Sequence, residues 1–456
     1  MSSASLEAPA SLTSTSVPGA NFDAWWTLAI TFLLNMVSYL DRSIVSMLVP
    51  EIKSSLTLSD SQIGLVIGPA FAVAYAVFSL PLGWAADRFS RRLVIALGAV
   101  MFGIATILSG FVGSFLILLI ARASVAIGET SLAPAAASLI SDKFPRRLLT
   151  TAISIYATGL KMGGSAALAL GALAIVYSTQ VIQGFPALQG LEPWRLVFVI
   201  TGLPALVLGL MAYTLKEPAR NQSVVAAWGG GMTAFQFLRS ERRLFVPMLI
   251  GFSLLTMCGS SLIGWVPTFV TRQYGWKPVQ YGPLLGAIGL ASSLTLVLKG
   301  ALMDWPFVRG IKDIYIRFYN WLLIATLPLV ATLFLVQDPW VFTALYAVVA
   351  IVTIPNLAYA MVVVQAITPP NLRGRLSAIL GLVIVLASGV GPAIVGFLTD
   401  HAFRDEAKIG YSLATLFCTA IPSGIVCFFF CLAPLRDAVR SAEKRTDTPS
   451  LAVGNS

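Results

Sequence analysis

Five ionisable residues sit inside stretches that are otherwise apolar: Asp41 and Arg42 in AITFLLNMVSYLDRSIVSMLVP, Arg122 and Glu129 in ARASVAIGET, and Lys161 in ATGLKMGG. An unpaired charge at a bilayer centre costs at least about 2.5 to 3.5 kcal/mol on insertion scales, so such residues need partners and a reason to be kept. The chemistry open to a paired carboxylate and cation is exchange. A carboxylate that loses its cation in a low-dielectric cavity binds a proton, and the released cation takes an anion. Arginine suits the second part, because its planar fork binds phosphate or carboxylate bidentately. Asp41 and Glu129 are therefore candidate proton-binding groups, and Arg42, Arg122 and Lys161 candidate anion-binding ones.

Helix rise, about 1.5 Å per residue, sets their depths. Asp41 lies about 10 Å below the outer end of an outward-running first span, and Arg122 lies at about the same depth in an inward-running fourth. These two are expected to pair. Glu129, about 21 Å down the fourth span, comes nearly level with Lys161 in the fifth, which predicts a second pair. Arg122 and Glu129 are seven residues apart, so they share one helix face. A substrate phosphate or carboxylate that takes Arg122 leaves Asp41 to protonate. The second half of the chain has no comparable ion in its spans; Thr256, Asn356 and Gln365 are its candidate polar contributors.

The elements that must hold these residues follow from composition. The chain has 456 residues, of which 57% are hydrophobic and 11% charged, whereas a soluble domain is about a quarter charged. A mean hydropathy of +0.84 excludes an ordinary soluble globule. Apolar runs long enough to cross a bilayer are predicted near 24–48, 61–85, 92–112, 115–141, 149–176, 195–215, 244–271, 279–302, 317–337, 340–366, 374–399 and 409–435. The result is an all-α membrane protein with twelve transmembrane helices.

The net charge of +10 reflects topology rather than nucleic-acid binding. Counting residues at the span ends with the loops they adjoin, 21 of the 30 Lys and Arg fall on one side, 6 on the other and 3 well inside spans. The positive-inside rule then puts both termini in the cytoplasm, and the cell membrane of a bacterium is the expected location. The predicted organisation is a disordered tail (1–21), a six-helix domain (22–215), a cytoplasmic linker (216–243), a second six-helix domain (244–435) and a C-terminal tail (436–456). Residues 1–20 lack the basic and apolar regions of a signal peptide. The four cysteines lie in apolar segments without metal-ligand spacing. No P-loop, H-E-x-x-H or cofactor-type glycine fingerprint is present, so neither cofactor nor enzymatic activity is expected.

The halves repeat. GWAADRFSRR (83–92) follows the second span, and a degraded copy, GALMDWPFVR (300–309), follows the eighth; FPRRLLTTA (144–152) and TPPNLRGRLSA (368–378) match in the same way. Six-span halves around a central cavity are a transporter architecture, with substrate bound near the midplane. Gly83 allows close helix approach, and Asp87, Arg88, Arg91 and Arg92, with Gly300, Asp304 and Arg309 in the copy, can form a cytoplasmic gate.

With these motifs the sequence resembles the major facilitator superfamily over residues 22–435, whose loop signature G-x-x-x-D-R-x-x-R-R is carried by GWAADRFSRR. Ser90 stands where that family often has Gly, and Trp305 replaces the Arg after Asp304. YLDRSIVSMLVPEI (39–52) and RASVAIGETSLAPAAASLISDKFP (122–145) resemble the Spinster branch. The resemblance implies two six-helix pseudo-repeats around a central cavity, and proton-coupled alternating-access transport of a sphingosine-1-phosphate or lysophospholipid type of lipid. Asp41, Arg42, Arg122 and Glu129 match that branch's polar residues; Ser131, a further candidate for substrate binding, and Pro134 extend the match. Asp-Arg late in the first span is shared with proton-coupled organic-anion symporters. A small organic-anion substrate therefore stays open, as does a uniporter without proton linkage. One chain holds both halves, so a monomer is expected to function.

Overall fold

The computed structural model describes residues 21–218, 233–311, 313–352, 356–369 and 372–447; within them the side chains of 146–147, 296–308, 352, 356–358, 366 and 442–447 lie outside the description. A backbone in hydrocarbon has no water to bond, so its apolar runs become helices, whose polar groups are satisfied within the segment. The first half consists of α1 (Phe22–Met47), α2 (Val49–Leu56), α3 (Asp60–Ile67), α4 (Pro69–Arg88), α5 (Arg91–Ser109), α6 (Phe115–Thr130), α7 (Leu132–Lys143), α8 (Arg146–Gly184) and α9 (Pro193–Met211). The second half consists of α10 (Ala234–Ser240), α11 (Arg242–Tyr274), α12 (Pro278–Val308), α13 (Ile314–Leu333), α14 (Pro339–Val352), α15 (Asn356–Ile367), α16 (Arg373–Phe397) and α17 (Ile409–Asp447).

Twelve membrane crossings result, because α3 with α4, α6 with α7, and α14 with α15 each make one span. The short α2 and α10 lie outside the twelve. Two of the spans read as single helices in the sequence are broken for local reasons. The second is interrupted at Gly68, whose backbone (φ −113°, ψ −90°) is not helical and is followed by Pro69. The fourth is interrupted at Ser131, three residues before Pro134, where the proline ring clashes with the preceding turn.

The halves touch at the end of the bundle away from the termini. A Cβ on Gly68 would stand 2.2 Å from the carbonyl oxygen of Gly389, one on Gly64 2.7 Å from that of Pro392, and one on Gly282 2.4 Å from that of Leu168. Only glycine permits backbones so close. Nearer the termini, a Cβ on Gly83 of α4, or on Gly374 or Gly381 of α16, would meet nothing within 4 Å. The close approaches between the halves thus lie on the face away from Phe22 and Asp447, while these three glycines nearer that end are uncrowded. Within the first half, the glycine-rich stretch of the fifth span packs α8 onto α1, with Gly163 against the carbonyl of Met36.

Candidate transport site

α1 delivers Asp41 and Arg42 on adjacent positions, about 100° apart around the helix, and each meets a different residue of α6. Arg122 Nη1 donates to Asp41 Oδ2 at 2.9 Å, and Arg42 Nη2 donates to Glu129 Oε2 at 2.9 Å. The Asp41–Arg122 pair is the one expected from depth, and it is sealed, with side-chain exposures of 0% and 3%. The second pair is a correction: Glu129 is bound by Arg42, while Lys161 is half-buried on α8 and makes no ion pair with any described residue. Side chains on a helix lean toward its N-terminus. α1 and α6 run in opposite directions, so Arg42 and Glu129 lean toward each other. Lys161, on a helix parallel to α1, leans toward the termini and away from that level. Matching Cα depths had ignored this tilt.

The two arginines differ in access. Arg42 is 33% exposed, whereas its partner Glu129 is 2% exposed and Arg122 is 3% exposed. One face of the Arg42 guanidinium lies on the Phe71 ring, with Cζ 3.7 Å from the centroid, and Tyr39 is 5.0 Å away. Phe71 in turn stacks on Tyr75 at 5.8 Å. Each ion pair is single-pronged. Asp41 Oδ1, Glu129 Oε1 and Arg42 Nε are buried without a well-formed hydrogen bond, the Ser38 hydroxyl of α1 being the polar group beside Glu129. A buried unsatisfied group costs about 1 to 3 kcal/mol, more when charged. The arrangement thus keeps open a carboxylate oxygen and a guanidinium donor that a rigid structural bridge would satisfy.

The remaining predicted substrate residues divide. Ser131 is turned away from the ions: at the α6–α7 break it donates to the Gly128 carbonyl at 2.8 Å, and its hydroxyl occupies the place where a Cβ on Gly98 of α5 would stand. It is a packing residue, a correction that follows from the break at Pro134. Thr256 is half-buried on α11 and donates to the Phe252 carbonyl at 2.7 Å; Gln365 is exposed on α15. Asn356 opens α15, and its side chain lies outside the described residues.

The loop motif near the termini forms contacts within the first half. Arg91 donates from Nε to Glu217 Oε1 at 2.8 Å and from Nη1 to Asp142 and to Ser138 Oγ, the latter at 2.8 Å. The Arg92 N–H and the Ser90 hydroxyl donate to Glu217 Oε2, both at 3.1 Å. Burial alone would raise the Glu217 carboxyl, but the hydrogen bonds from Arg91, from the loop backbone and from Ser90 outweigh it and hold it below the usual carboxylate range. Asp87 is exposed and pairs with no described residue, and Arg88 is exposed with its guanidinium 5.2 Å from the Trp84 ring. In the degraded copy, Arg309 is exposed, while Gly300 lies within α12 and the side chain of Asp304 lies outside the description.

The opposite face carries a network that the sequence reading missed. Asp60, fully buried at the start of α3, receives both prongs of Arg272 at 2.7 and 2.8 Å, and Lys53 Nζ at 2.6 Å. Lys53 and Arg272 also reach Glu406, at 2.8 and 3.5 Å. Asp400 accepts the backbone N–H groups of Asp60 and Ser61, at 3.3 and 2.6 Å, and so caps α3 from the other half of the molecule. The available signal was the capping box S-x-x-Q at Ser59–Gln62. It marks a helix start, and so places Asp60 at a helix end rather than in a loop.

Residues 31–392 match the family described as Major Facilitator Superfamily. The chain belongs to that superfamily. This facilitator is 29% identical to an MFS-type efflux pump of Mycolicibacterium smegmatis over 435 residues, 91% of this chain and 94% of the relative. It is 27% identical to protein spinster homolog 1 of Xenopus laevis over 268 residues, 56% of this chain and 48% of the relative. Its fold resembles the crystal structure of a bacterial homologue of the human lysosomal transporter Spinster in an inward-facing, unoccupied conformation. That likeness has a TM-score of 0.74 at 23% identity and covers 93% and 99% of the two chains. The resemblance read from the first- and fourth-span motifs is thus met by Spinster proteins in both comparisons, and the facilitator is a multi-pass integral membrane transporter rather than an enzyme.

Proposed function

We propose that this facilitator is a proton-coupled secondary transporter of an amphiphilic anion, of the sphingosine-phosphate or lysophospholipid type, and that Arg42 and Glu129 carry the exchange. The observation that carries this reading is the unequal exposure of one ion pair: an accessible Arg42 held by a sealed Glu129 with an oxygen to spare. A substrate phosphate or carboxylate takes the free donors of Arg42 and draws the guanidinium from Glu129. The abandoned carboxylate, in a low-dielectric wall, is neutralised by a proton. One anion and one proton enter a site of net zero charge and leave it neutral, so they travel together. Arg122 is not the exchanging cation; it stays with Asp41 and holds α1 to α6.

The membrane orientation follows from charge. The face with the termini is cytoplasmic, in the cell membrane of a bacterium, and the cavity opens to it while the Asp60 network shuts the other side. Alternating access then requires the loop around Asp87 to find partners in the second half as Asp60 loses its own. The lipid-like character of the substrate is supported by the aromatic wall of Phe71, Tyr39 and Tyr75 beside an accessible guanidinium, facing a half with no Asp, Glu, Lys or Arg side chain near the middle of its described spans. A phosphate head with a hydrocarbon tail matches that pairing of surfaces. The chain functions as a monomer, since both walls belong to it.

Flux into proteoliposomes tests the proposal with a panel of lysolipids, sphingoid phosphates and small organic acids, each with and without an imposed pH gradient. Lysolipid flux that follows the gradient and is abolished in Arg42→Ala and Glu129→Gln is expected. Gradient-driven flux of small organic acids alone overturns the lipid assignment, and flux indifferent to the gradient overturns the coupling.

A further inference from the structure

The second span is kinked at Gly68, and the kink lies between the two places where charges meet. α3 is fastened to the second half along its length: Arg272 grips Asp60, Asp400 caps its first N–H groups, and Gly64 and Gly68 lie against Pro392 and Gly389. α4 starts afresh at Pro69, and its third residue is Phe71, the buried ring on which the Arg42 guanidinium rests. Gly68 departs from helical angles, yet its N–H still bonds the Gly64 carbonyl and its own carbonyl accepts from Ala72, so the two pieces form one kinked, hydrogen-bonded rod, and a change in how α3 sits on α16 is delivered to the first turn of α4.

We propose that Phe71 is a positioning residue, tying closure of the face opposite the termini to the Arg42–Glu129 pair. With α3 docked on α16 the ring stays beneath the guanidinium and keeps it on Glu129; when α3 leaves α16 the ring withdraws and the pair loosens. The inference rests on the reading of Glu129 as the proton-binding group. A cation over an aromatic face is held by the ring's quadrupole, and more strongly when desolvated. Leucine keeps most of the volume and lacks the ring. The charged and titratable groups around Glu129 are Asp41, Arg42 and Tyr39 on α1, Tyr75 on α4 and Arg122 on its own helix. No described residue of α5 or α8 makes an ion pair with it.

The test uses the full chain in nanodiscs, with its four cysteines replaced by serine and spin labels at Ser54→Cys and Ala407→Cys, exposed positions of the two halves on the face opposite the termini. Inter-label distance is followed against pH. The expected background is one pH midpoint that disappears in Glu129→Gln. Phe71→Leu should move the midpoint alkaline by about one unit, since a desolvated cation–π contact corresponds to about a tenfold change and a loosened Arg42 stabilises the carboxylate less. Phe71→Trp should restore it. Asp60→Asn, which frees α3, should shift the midpoint in the background and shift it less when Phe71 is already leucine. If Phe71→Leu does not fold, Phe71→Met is read in the same way. A folded Phe71 variant with an unmoved midpoint overturns the relay and leaves the proton reading standing. A pH response that survives Glu129→Gln overturns both.

Discussion

The two faces of the molecule use the same residue types to opposite ends. Away from the termini, charges pair across the halves: Arg272 and Glu406 of one meet Asp60 and Lys53 of the other. At the face of the termini the ion pairs seen among the described residues fall within each half. Arg91 is held by Asp142 and Glu217, Lys143 reaches Asp23, and in the second half the buried Asp313 gathers Arg317 and Arg436 at 2.7 and 3.0 Å. The second-half cluster inverts the first, an acid between two arginines in place of an arginine between two acids. Contacts within a half survive any motion of one half against the other, whereas contacts across them exist in only one state. The first kind sets stability, and the second sets which face is open.

The largest effect should come from breaking a cross-half contact. Asp60→Asn leaves the part-buried Arg272 and Lys53 with only the exposed Glu406 as counter-charge, a loss of up to about 3 to 5 kcal/mol, and the loss falls on the closed arrangement alone. Thiol accessibility of a cysteine at Ser61 should rise about a hundredfold or more; unchanged protection would remove Asp60 from the lock. Gly68→Ala comes next. Its methyl group cannot share space with the Gly389 carbonyl, and overpacking of this kind costs about 1 to 3 kcal/mol, so the same reporter should move about tenfold, in the same direction.

Glu217→Gln sharpens the comparison from the other side. It removes a charged acceptor from a within-half cluster, so thermal stability should fall by about 1 to 3 kcal/mol while the reporter stays still. The pH dependence has a definite sign. The folded Glu217 carboxyl lies below its unfolded value, so its contribution is present above about pH 4.3 and is lost as pH falls through the folded value. Melting curves between about pH 3 and 7 should show wild type and Glu217→Gln converging only at the acid end. Convergence at neutral pH would contradict the assignment. The smallest effect belongs to Lys161→Met, which should leave gradient-driven flux within about twofold of wild type; a larger loss would return Lys161 to the site.

What could be read in advance tracks what depends on neighbours along the chain. Span number follows from local chemistry, and depth counting placed Asp41 with Arg122. It failed for Glu129 because the direction in which a side chain leans, rather than the height of its Cα, decided between Arg42 and Lys161. Ser131 carried the right motif but faces α5, since the break before Pro134 rotates it out of the cavity wall. The Asp60 lock was invisible for another reason: its partners in the other half, Arg272 and Asp400, lie more than 200 residues away, and no local pattern announces a bidentate arginine arriving from there.

The central claim is that an anion and a proton bind together because Arg42 leaves Glu129 for the anion. Titration calorimetry of the purified protein with lysophosphatidic acid, in two buffers of different ionisation enthalpy, measures the protons taken up per bound molecule. The account predicts about one near neutral pH, lost in Glu129→Gln and kept in Lys161→Met. Binding without proton uptake by the wild-type protein, or uptake that persists in Glu129→Gln, would contradict it.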